Sequence, residues 1–288
     1  MRRLIINADD FGLTSGVNRA IAEASRSGVV TSTTIMANAR AFVEAVDLAK
    51  GLPGLKTGCH VVLIDGEPVE TGLPTLTKGT ERFRSSLKGF ALAAWRRKIS
   101  TEEVQREAEA QIRKIQSCGI ILTHVDSHKH THMFPHILRP VLRAARACGI
   151  HAVRNPFEPL RSWPRRLVAG TPGLWLRSAG VTAFQLFSAE FRKAIQEEDM
   201  LTTDGTVGIA VTGKLDQKVL GAILAALPEG TWELVCHPGY ADADLKAAGT
   251  RLVQSRQVEL EALTSEQTKK TLAARGIELI SYADLKQL

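Results

Sequence analysis

The sequence predicts an α/β fold, a distorted (β/α) barrel of about seven to eight mostly parallel strands, with 1–288 as one domain. Three observations carry this expectation. Short apolar runs alternate with amphipathic helical stretches along the chain, the pattern of successive βαβ units. Polar residues stand at or near the ends of those runs, and in a parallel barrel such ends converge on one face, where active sites are found. The chain has 288 residues, a length that suits one barrel of typically about 250.

The elements follow in order. Residues 4–8 (Leu-Ile-Ile-Asn-Ala) read as a buried strand running into a polar tip at Asp9 and Asp10. Ser15 is expected to cap a helix with Val17, Ile21 and Ala24 at helical spacing. A strand rich in Val and Thr is expected over 30–37, a helix over 39–50 and a third strand over 56–63. A looser insertion fills 64–98. Ser100 and Glu103 have the spacing of a capping box and open a long helix with Val104, Ala108, Ile112 and Ile115 on one stripe. The next strand is 120–126. Pro135 begins a helix that reaches Cys148 and Gly149, and 151–154 is a short strand. Residues 155–185 are irregular, with Pro156, Pro159, Pro164 and Pro172, and 155–200 is expected to form a cap or lid. Strand 207–211, helix 215–227, strand 233–236, helix 250–275 and strand 278–281 complete the chain.

Composition bounds the class. Apolar residues make up 44% and charged residues 23%, which argues against global disorder. The four cysteines (Cys59, Cys118, Cys148, Cys236) include no CxxC pair, so a disulfide framework is not expected and a reducing compartment fits. No apolar run reaches the roughly 18 residues of a membrane span. The first residues read as a strand rather than an export signal, which makes the cytoplasm the expected location, with the inner membrane surface as its extension. The net charge is +7, with bases gathered at 82–98 and 161–177. No nucleic-acid-binding signature accompanies them, so nucleic acid is not an expected partner. A solvated face is the default, and peripheral contact with an anionic membrane the second option. The oligomeric state is open, a homodimer included.

The chemistry gathers in four places. Asp9 and Asp10, in Asn7-Ala8-Asp9-Asp10-Phe11-Gly12, are adjacent carboxylates at a strand end; one can bind a metal while the other stays free as a base. Alone, such a pair is more often a turn. Four of the eight histidines fall in His124-x-Asp126-Ser127-His128-x-His130-x-His132. Alternate residues of an extended segment share a side, so these side chains would converge if the strand continued. Imidazoles bind zinc and similar ions, but not all four can be ligands; some must orient ligands or touch substrate. His60 alone would pass for a core histidine, and His237 precedes a Pro-Gly turn. Together they match a known logic. One carboxylate and two imidazoles hold a divalent ion with open positions, a second carboxylate deprotonates water, and a further histidine protonates the leaving group.

These residues resemble the YdjC family of carbohydrate deacetylases, which includes the chitooligosaccharide deacetylases. The resemblance rests on Asn7-Ala8-Asp9-Asp10-Phe11-Gly12, Val30-Thr31-Ser32-Thr33, Gly58-Cys59-His60, the stretch from Thr123 to Pro135, and Cys236-His237-Pro238-Gly239. It implies a TIM-like distorted barrel and amide hydrolysis at an N-acetylated sugar. By position it implies Asp10, His60 and His128 as ligands of one divalent metal ion, Asp9 as general base and His237 as general acid. Arg154, Asp126, His130 and His132 are then expected around the substrate. The family often has Arg followed directly by Pro-x-Glu; here Asn155 intervenes before Pro156, Phe157 and Glu158, which loosens the match at Arg154 and Glu158. An Asp and two His suit zinc; magnesium is the other leading ion, and manganese, cobalt and nickel are compatible.

Residues 60–69 (His-Val-Val-Leu-Ile-Asp-Gly-Glu-Pro-Val) are similar to one branch in particular, the deacetylase associated with hopanoid biosynthesis. That implies a glycolipid substrate with an N-acetylglucosaminyl-type headgroup. Trp163, Leu167, Trp175 and Phe184, interleaved with Arg161, Arg165, Arg166 and Arg177, suit either a packed cap or a rim that receives a lipid-linked sugar. Three rivals remain: a soluble chitooligosaccharide deacetylase, a phosphoesterase with more metal ions, and a non-catalytic carbohydrate-binding protein on the same fold.

Overall fold

The computed structural model describes residues 1–158 and 185–287. The β-branched runs become seven strands: β1 (Arg2–Phe11), β2 (Ser32–Ile35), β3 (Lys56–Val61), β4 (Leu122–Ser127), β5 (Gly205–Val207), β6 (Gly230–Cys236) and β7 (Ile277–Ile280). Every pairing among them is parallel, in the order β4-β3-β2-β1-β6-β5, with β7 on β1. This is the parallel barrel-like α/β sheet that the alternating pattern predicts.

The distortion has two sources. First, β1 gives one edge to β6 and divides the other: β7 pairs with Arg2–Ile5, and β2 pairs from Asn7 onward. Thr31 closes that junction, its N–H donating to the Ile6 carbonyl and its hydroxyl to the Ile280 carbonyl. Second, β4 and β5 are the ends of the path, and residues 151–157 span the gap between them. Val125 donates to Ala152 and Arg154 to Val125 on one side; Val153 donates to Leu201 and Thr206 to Phe157 on the other. The expected strand 151–154 is thus reduced to isolated bridges at Ala152 and Val153.

Alternation along β1 sorts the core. Leu4, Ile6 and Ala8 point outward and share one apolar cluster with Val17, Ile21, Ile112, Ile115 and Val141 of the surrounding helices. Those helices include α1 (Ser15–Arg26), α2 (Phe42–Lys50), α3 (Pro74–Thr77), α4 (Leu87–Trp95), α5 (Thr101–Ser117) and α6 (Pro135–Ala147). Ile5 points the other way and packs with Ala152, Ile280, Tyr282 and Leu285. Above it, Asn7 and Asp9 continue the inward row with polar groups. Among the described residues no helix is long and apolar enough to cross a membrane.

Several local expectations are corrected. The cap of α1 is Thr14, whose extended backbone lets its hydroxyl accept from Val17; Ser15 already lies inside the helix. Ser100 does cap α5 by accepting from Glu103, but Glu103 does not return the bond. Its carboxylate accepts from Thr75 and Leu76 at the start of α3 instead. The insertion 64–98 is not loose throughout, since it contains α3 and α4. Strand 207–211 is instead β5, ending at Val207, because Gly208 takes φ +103° and the chain turns onto Glu158. The helix expected over 250–275 breaks into Gln254–Thr264 and Glu266–Ala274, because Ser265 is extended and its hydroxyl caps the second piece. Most of the expected cap, 159–184 with Trp163, Trp175 and the arginines, lies outside the described residues. On its far side, Gln185–Phe187 makes a 3-10 turn and Ser188–Glu197 a helix.

Candidate metal centre

The site begins with a break in β1. In a regular strand Asp9 and Asp10 would face opposite sides. Asp10 instead takes a left-handed backbone, φ +66°, and the register with β2 shifts between Ala8 and Phe11. Such a bulge re-aims a side chain at a strand end. Here it brings both carboxylates to the top of the barrel.

Asp10 meets His60, from β3, and His128, just beyond β4. Asp10 Oδ1 lies 3.5 Å from His60 Nε2 and 3.3 Å from His128 Nδ1, and the two nitrogens are 3.4 Å apart. Three donor atoms thus form a nearly equilateral triangle. Tetrahedral bonds of about 2.0–2.1 Å to a zinc-like ion place neighbouring donors about 3.4 Å apart. Asp10 Oδ1 is buried and has no hydrogen-bond partner. An orphaned buried carboxylate oxygen is costly unless a cation or water completes it. On both counts the residues fit one divalent ion.

The outer side of each ligand is held. His60 Nδ1 donates to Asp126 Oδ1 at 2.7 Å, which leaves Nε2 with its lone pair toward the triangle. His128 Nε2 faces Asp65 at 3.7 Å, and Asp65 is itself paired with Lys129. Asp10 Oδ2 accepts from Arg256 at 2.5 Å. Burial penalises the charge on Asp10, yet Arg256 and His128 hold its carboxyl well below the usual range. Burial also opposes charge on His60 and His128. The surrounding carboxylates overcome it, raising His60 and pushing His128 up to about 9. The same negative field would attract a metal cation.

Beneath the triangle lies a buried ion network. Arg154 grips Asp9 with two bonds, NH1 to Oδ2 at 2.8 Å and NH2 to Oδ1 at 2.6 Å. It also reaches Asp126 Oδ2 and Glu233 Oε1, each at 2.6 Å. Tyr282 donates to the other oxygen of Glu233 at 2.5 Å. Burial works against the charge on Asp9, but Arg154 outweighs it and keeps the carboxyl below its ordinary range. A second group of potential ligands, Asp9, His60 and Asp126, also lies close together. It is the poorer metal site, because both carboxylates are already committed to Arg154.

His237 stands on the rim after β6. Its Nε2 is 3.9 Å from Asp9 Oδ2, and its backbone N–H donates to Glu259 at 2.6 Å. Burial pushes His237 down to about 4, so the ring is neutral at pH 7. The remaining histidines separate. β4 ends at Ser127, and Lys129 and His130 both take left-handed backbone, so the alternation stops before it can align the whole row. His124 is inside the barrel, stacked on Tyr282 with ring centroids 3.7 Å apart and 3.2 Å from Asn7 Oδ1. His132 is fully buried, with Nδ1 on Ser127 and Nε2 on the Arg154 carbonyl. His130 is half-buried, and its Nδ1 has no partner.

Three of the expected substrate residues are bonded within the protein. Asp126, His132 and Arg154 are fully buried, and their polar atoms are bonded to other protein groups that hold the site. His130 keeps partial exposure, although its unpartnered Nδ1 is itself buried. Three participants were not foreseen. Glu233 had a signal, a lone acid in the strand Thr-Trp-Glu-Leu-Val-Cys, which must find a buried partner. Arg256 and Glu259 had almost none, being charged residues in a helix that reads as a surface element.

A family model described as YdjC-like protein matches residues 3–274. The chain is 35% identical to the carbohydrate deacetylase of Brevibacillus brevis over 285 residues, covering 98% of this chain and 99% of that one. It is 36% identical to the chitooligosaccharide deacetylase of Klebsiella pneumoniae over 286 residues, covering 99% of each. Among solved structures, a protein of Enterococcus faecalis V583 described in terms of cellobiose-phosphate cleavage superposes with a TM-score of 0.77. Its identity is 27%, with 99% of this chain and 98% of that one covered.

Proposed function

The chain belongs to the YdjC-like family, and from that membership we propose that it is a metal-dependent hydrolase removing the N-acetyl group of an amino sugar. The observation that carries the reading is the Asp10–His60–His128 triangle with its unpartnered carboxylate oxygen, next to a second carboxylate, Asp9, that takes no part in it. Zinc is the ion favoured by the donor spacing, with magnesium the alternative.

A bound divalent ion supplies Lewis-acid polarisation of the acetyl carbonyl and makes water more acidic. Asp9, fixed by Arg154, accepts the proton of the attacking water as the new C–O bond forms. Arg154 makes Asp9 a weak resting place for that proton. His237, neutral and 3.9 Å away, receives it and passes it to the sugar nitrogen as the C–N bond breaks. Acetate and a free amino sugar result. His130 contacts the sugar through the exposed part of its half-buried ring.

The finer assignment is the N-acetylglucosaminyl headgroup of a hopanoid lipid. Its support is local: the stretch 60–69 includes His60 itself and Asp65, which faces His128, so the residues most like that branch border the site. The enzyme then works as a single domain in the cytoplasm against the inner membrane, alone or as a homodimer. A soluble chitooligosaccharide is the competing substrate, with the same chemistry. A phosphoesterase with several ions is disfavoured because His124 and His132 have spent their ring nitrogens on hydrogen bonds.

The test is acetate release by the metal-loaded protein from N,N′-diacetylchitobiose and from an N-acetylglucosaminyl hopanoid. Release from neither substrate, by a protein that binds one zinc per chain, removes the deacetylase reading. Release from the disaccharide alone removes only the hopanoid.

A further inference from the structure

The insertion between β3 and α5 carries a surface that the reaction does not use. In α4, Phe90, Ala93 and Ala94 are buried, which anchors one face of the helix on the body of the protein. The opposite face is not polar. Leu92 is 46% exposed and Trp95 76% exposed. A soluble helix ordinarily keeps its large apolar residues on the buried side.

Cations surround these two residues. Lys88, Arg96, Arg97 and Lys98 are exposed, and among the described residues none of them makes an ion pair. Residues 78–98 contain seven bases (Lys78, Arg82, Arg84, Lys88, Arg96, Arg97, Lys98) and one acid, Glu81. An indole and a leucine ringed by unpaired Lys and Arg are complementary to an anionic bilayer surface. The rings enter at headgroup level and the cations meet the phosphates.

The helix that carries this surface is attached to segments of the active site. The segment leading into α4 is bonded to the turn at 65–66, with Asp65 N–H donating to the Arg84 carbonyl and Phe83 N–H to the Gly66 carbonyl. Asp65 is the residue that faces His128. At the other end, Phe90 packs on Phe134, only two residues beyond His132. The helix that carries Leu92 and Trp95 is therefore tied at both ends to segments that border the metal centre.

We propose that α4 is a membrane-docking element, in which Leu92 and Trp95 insert at the surface of an anionic bilayer and Lys88, Arg96, Arg97 and Lys98 bind its headgroups. The placement of such a surface rests on the exposed residues alone; its use in presenting a lipid-borne sugar rests on the deacetylase reading. The experiment is co-sedimentation of the full chain with vesicles of phosphatidylcholine, with and without phosphatidylglycerol. Two variants accompany it, Leu92→Ser/Trp95→Ser and Arg96→Gln/Arg97→Gln/Lys98→Gln. The wild type is expected to bind the anionic vesicles, less so at high salt, and each variant to bind at least about tenfold more weakly. Both variants should release acetate from N,N′-diacetylchitobiose as the wild type does.

No vesicle binding by the wild type overturns the proposal, as does equal binding by both variants. A wild-type dimer that both variants dissolve also overturns it, since a second copy would then cover the face. Vesicle binding with no acetate release from any substrate leaves the docking surface standing and removes the deacetylase reading instead.

Discussion

Arg256 donates to one oxygen of Asp10 and leaves the other, Oδ1, buried and unpartnered between His60 and His128. The guanidinium comes from a helix 246 residues further along the chain, and its own Nε is tied to the Leu252 carbonyl. Its position fixes which carboxylate oxygen points into the triangle. Arg256→Gln is therefore expected to weaken metal binding by about tenfold to a hundredfold, the usual effect of losing a partner behind a ligand. Arg256→Lys, which keeps the charge but not the fork, should fall between. Zinc titration against a competing chelator reads both. An unchanged affinity in Arg256→Gln, with the fold intact by circular dichroism, would falsify the role.

Asp9 predicts a different split. It belongs to the Arg154 network and not to the triangle, so Asp9→Asn should bind metal nearly as well as the wild type. If Asp9 is the base, kcat should fall by about 10²–10⁴ while KM changes little. The variant also removes one of the three carboxylates around Arg154, but Asp126 and Glu233 still hold the guanidinium. Stoichiometric zinc together with near-wild-type turnover would assign the base elsewhere.

Much of this was legible in the sequence, for reasons visible in particular residues. The inward row Ile5, Asn7, Asp9 follows from strand alternation, and Gly58-Cys59-His60 from the same rule. Alternation failed at His128. It would have carried His130 and His132 along as equals, whereas the chain leaves the strand at Ser127 and turns through two left-handed residues. Selecting His128 from the row took the family resemblance. Arg154 was seen as a strand-end residue, but a sequence does not show that three acids from β1, β4 and β6 will close around it. Arg256 was illegible because its partner lies across the whole fold.

The buried Glu158 gives the fold a pH dependence of its own. Its carboxylate accepts from the N–H groups of Gly208 and Ala210, yet burial pushes its pKa up to about 7 from an ordinary 4.5. An acid with a raised folded-state pKa binds more protons folded than unfolded. Its contribution to stability is complete below pH 4.5 and is lost as pH rises through 7. In Glu158→Gln one acceptor is lost at every pH, so its melting curve is offset but lacks this slope. The melting temperature of the wild type should thus decline relative to Glu158→Gln between pH 4.5 and 7. Parallel curves across that window would show that Glu158 stays ionised throughout.

Metal removal should lower stability as well as activity. An ion that binds only the folded chain stabilises it by about 4 kcal/mol when free metal is a thousandfold above Kd. Dialysis against a chelator is expected to lower the melting temperature, and zinc to restore it. His60→Ala should abolish the zinc-dependent rise, because it removes one corner of the triangle. A rise that persists in His60→Ala would place the ion at another site.

Gly58 tests whether His124 is a packing residue. A Cβ on Gly58 would sit 2.5 Å from Cε1 of His124, closer than real contacts allow. The ring has little room to retreat, since Tyr282 is stacked on it at 3.7 Å and Asn7 holds its Nε2. Gly58→Ala is therefore expected to cost about 1–3 kcal/mol by overpacking, a drop of several degrees in melting temperature. The strain also has a route to the chemistry. Asn7 bonds both His124 and Asp9, so displacing the ring shifts the support of the proposed base. Activity should fall in Gly58→Ala even below its melting transition, with zinc affinity less affected, because Asp10 and His128 lie outside that chain of contacts. A variant as stable and active as the wild type would mean that His124 moves freely, and that the polar interior of the barrel is softer than its hydrogen bonds imply.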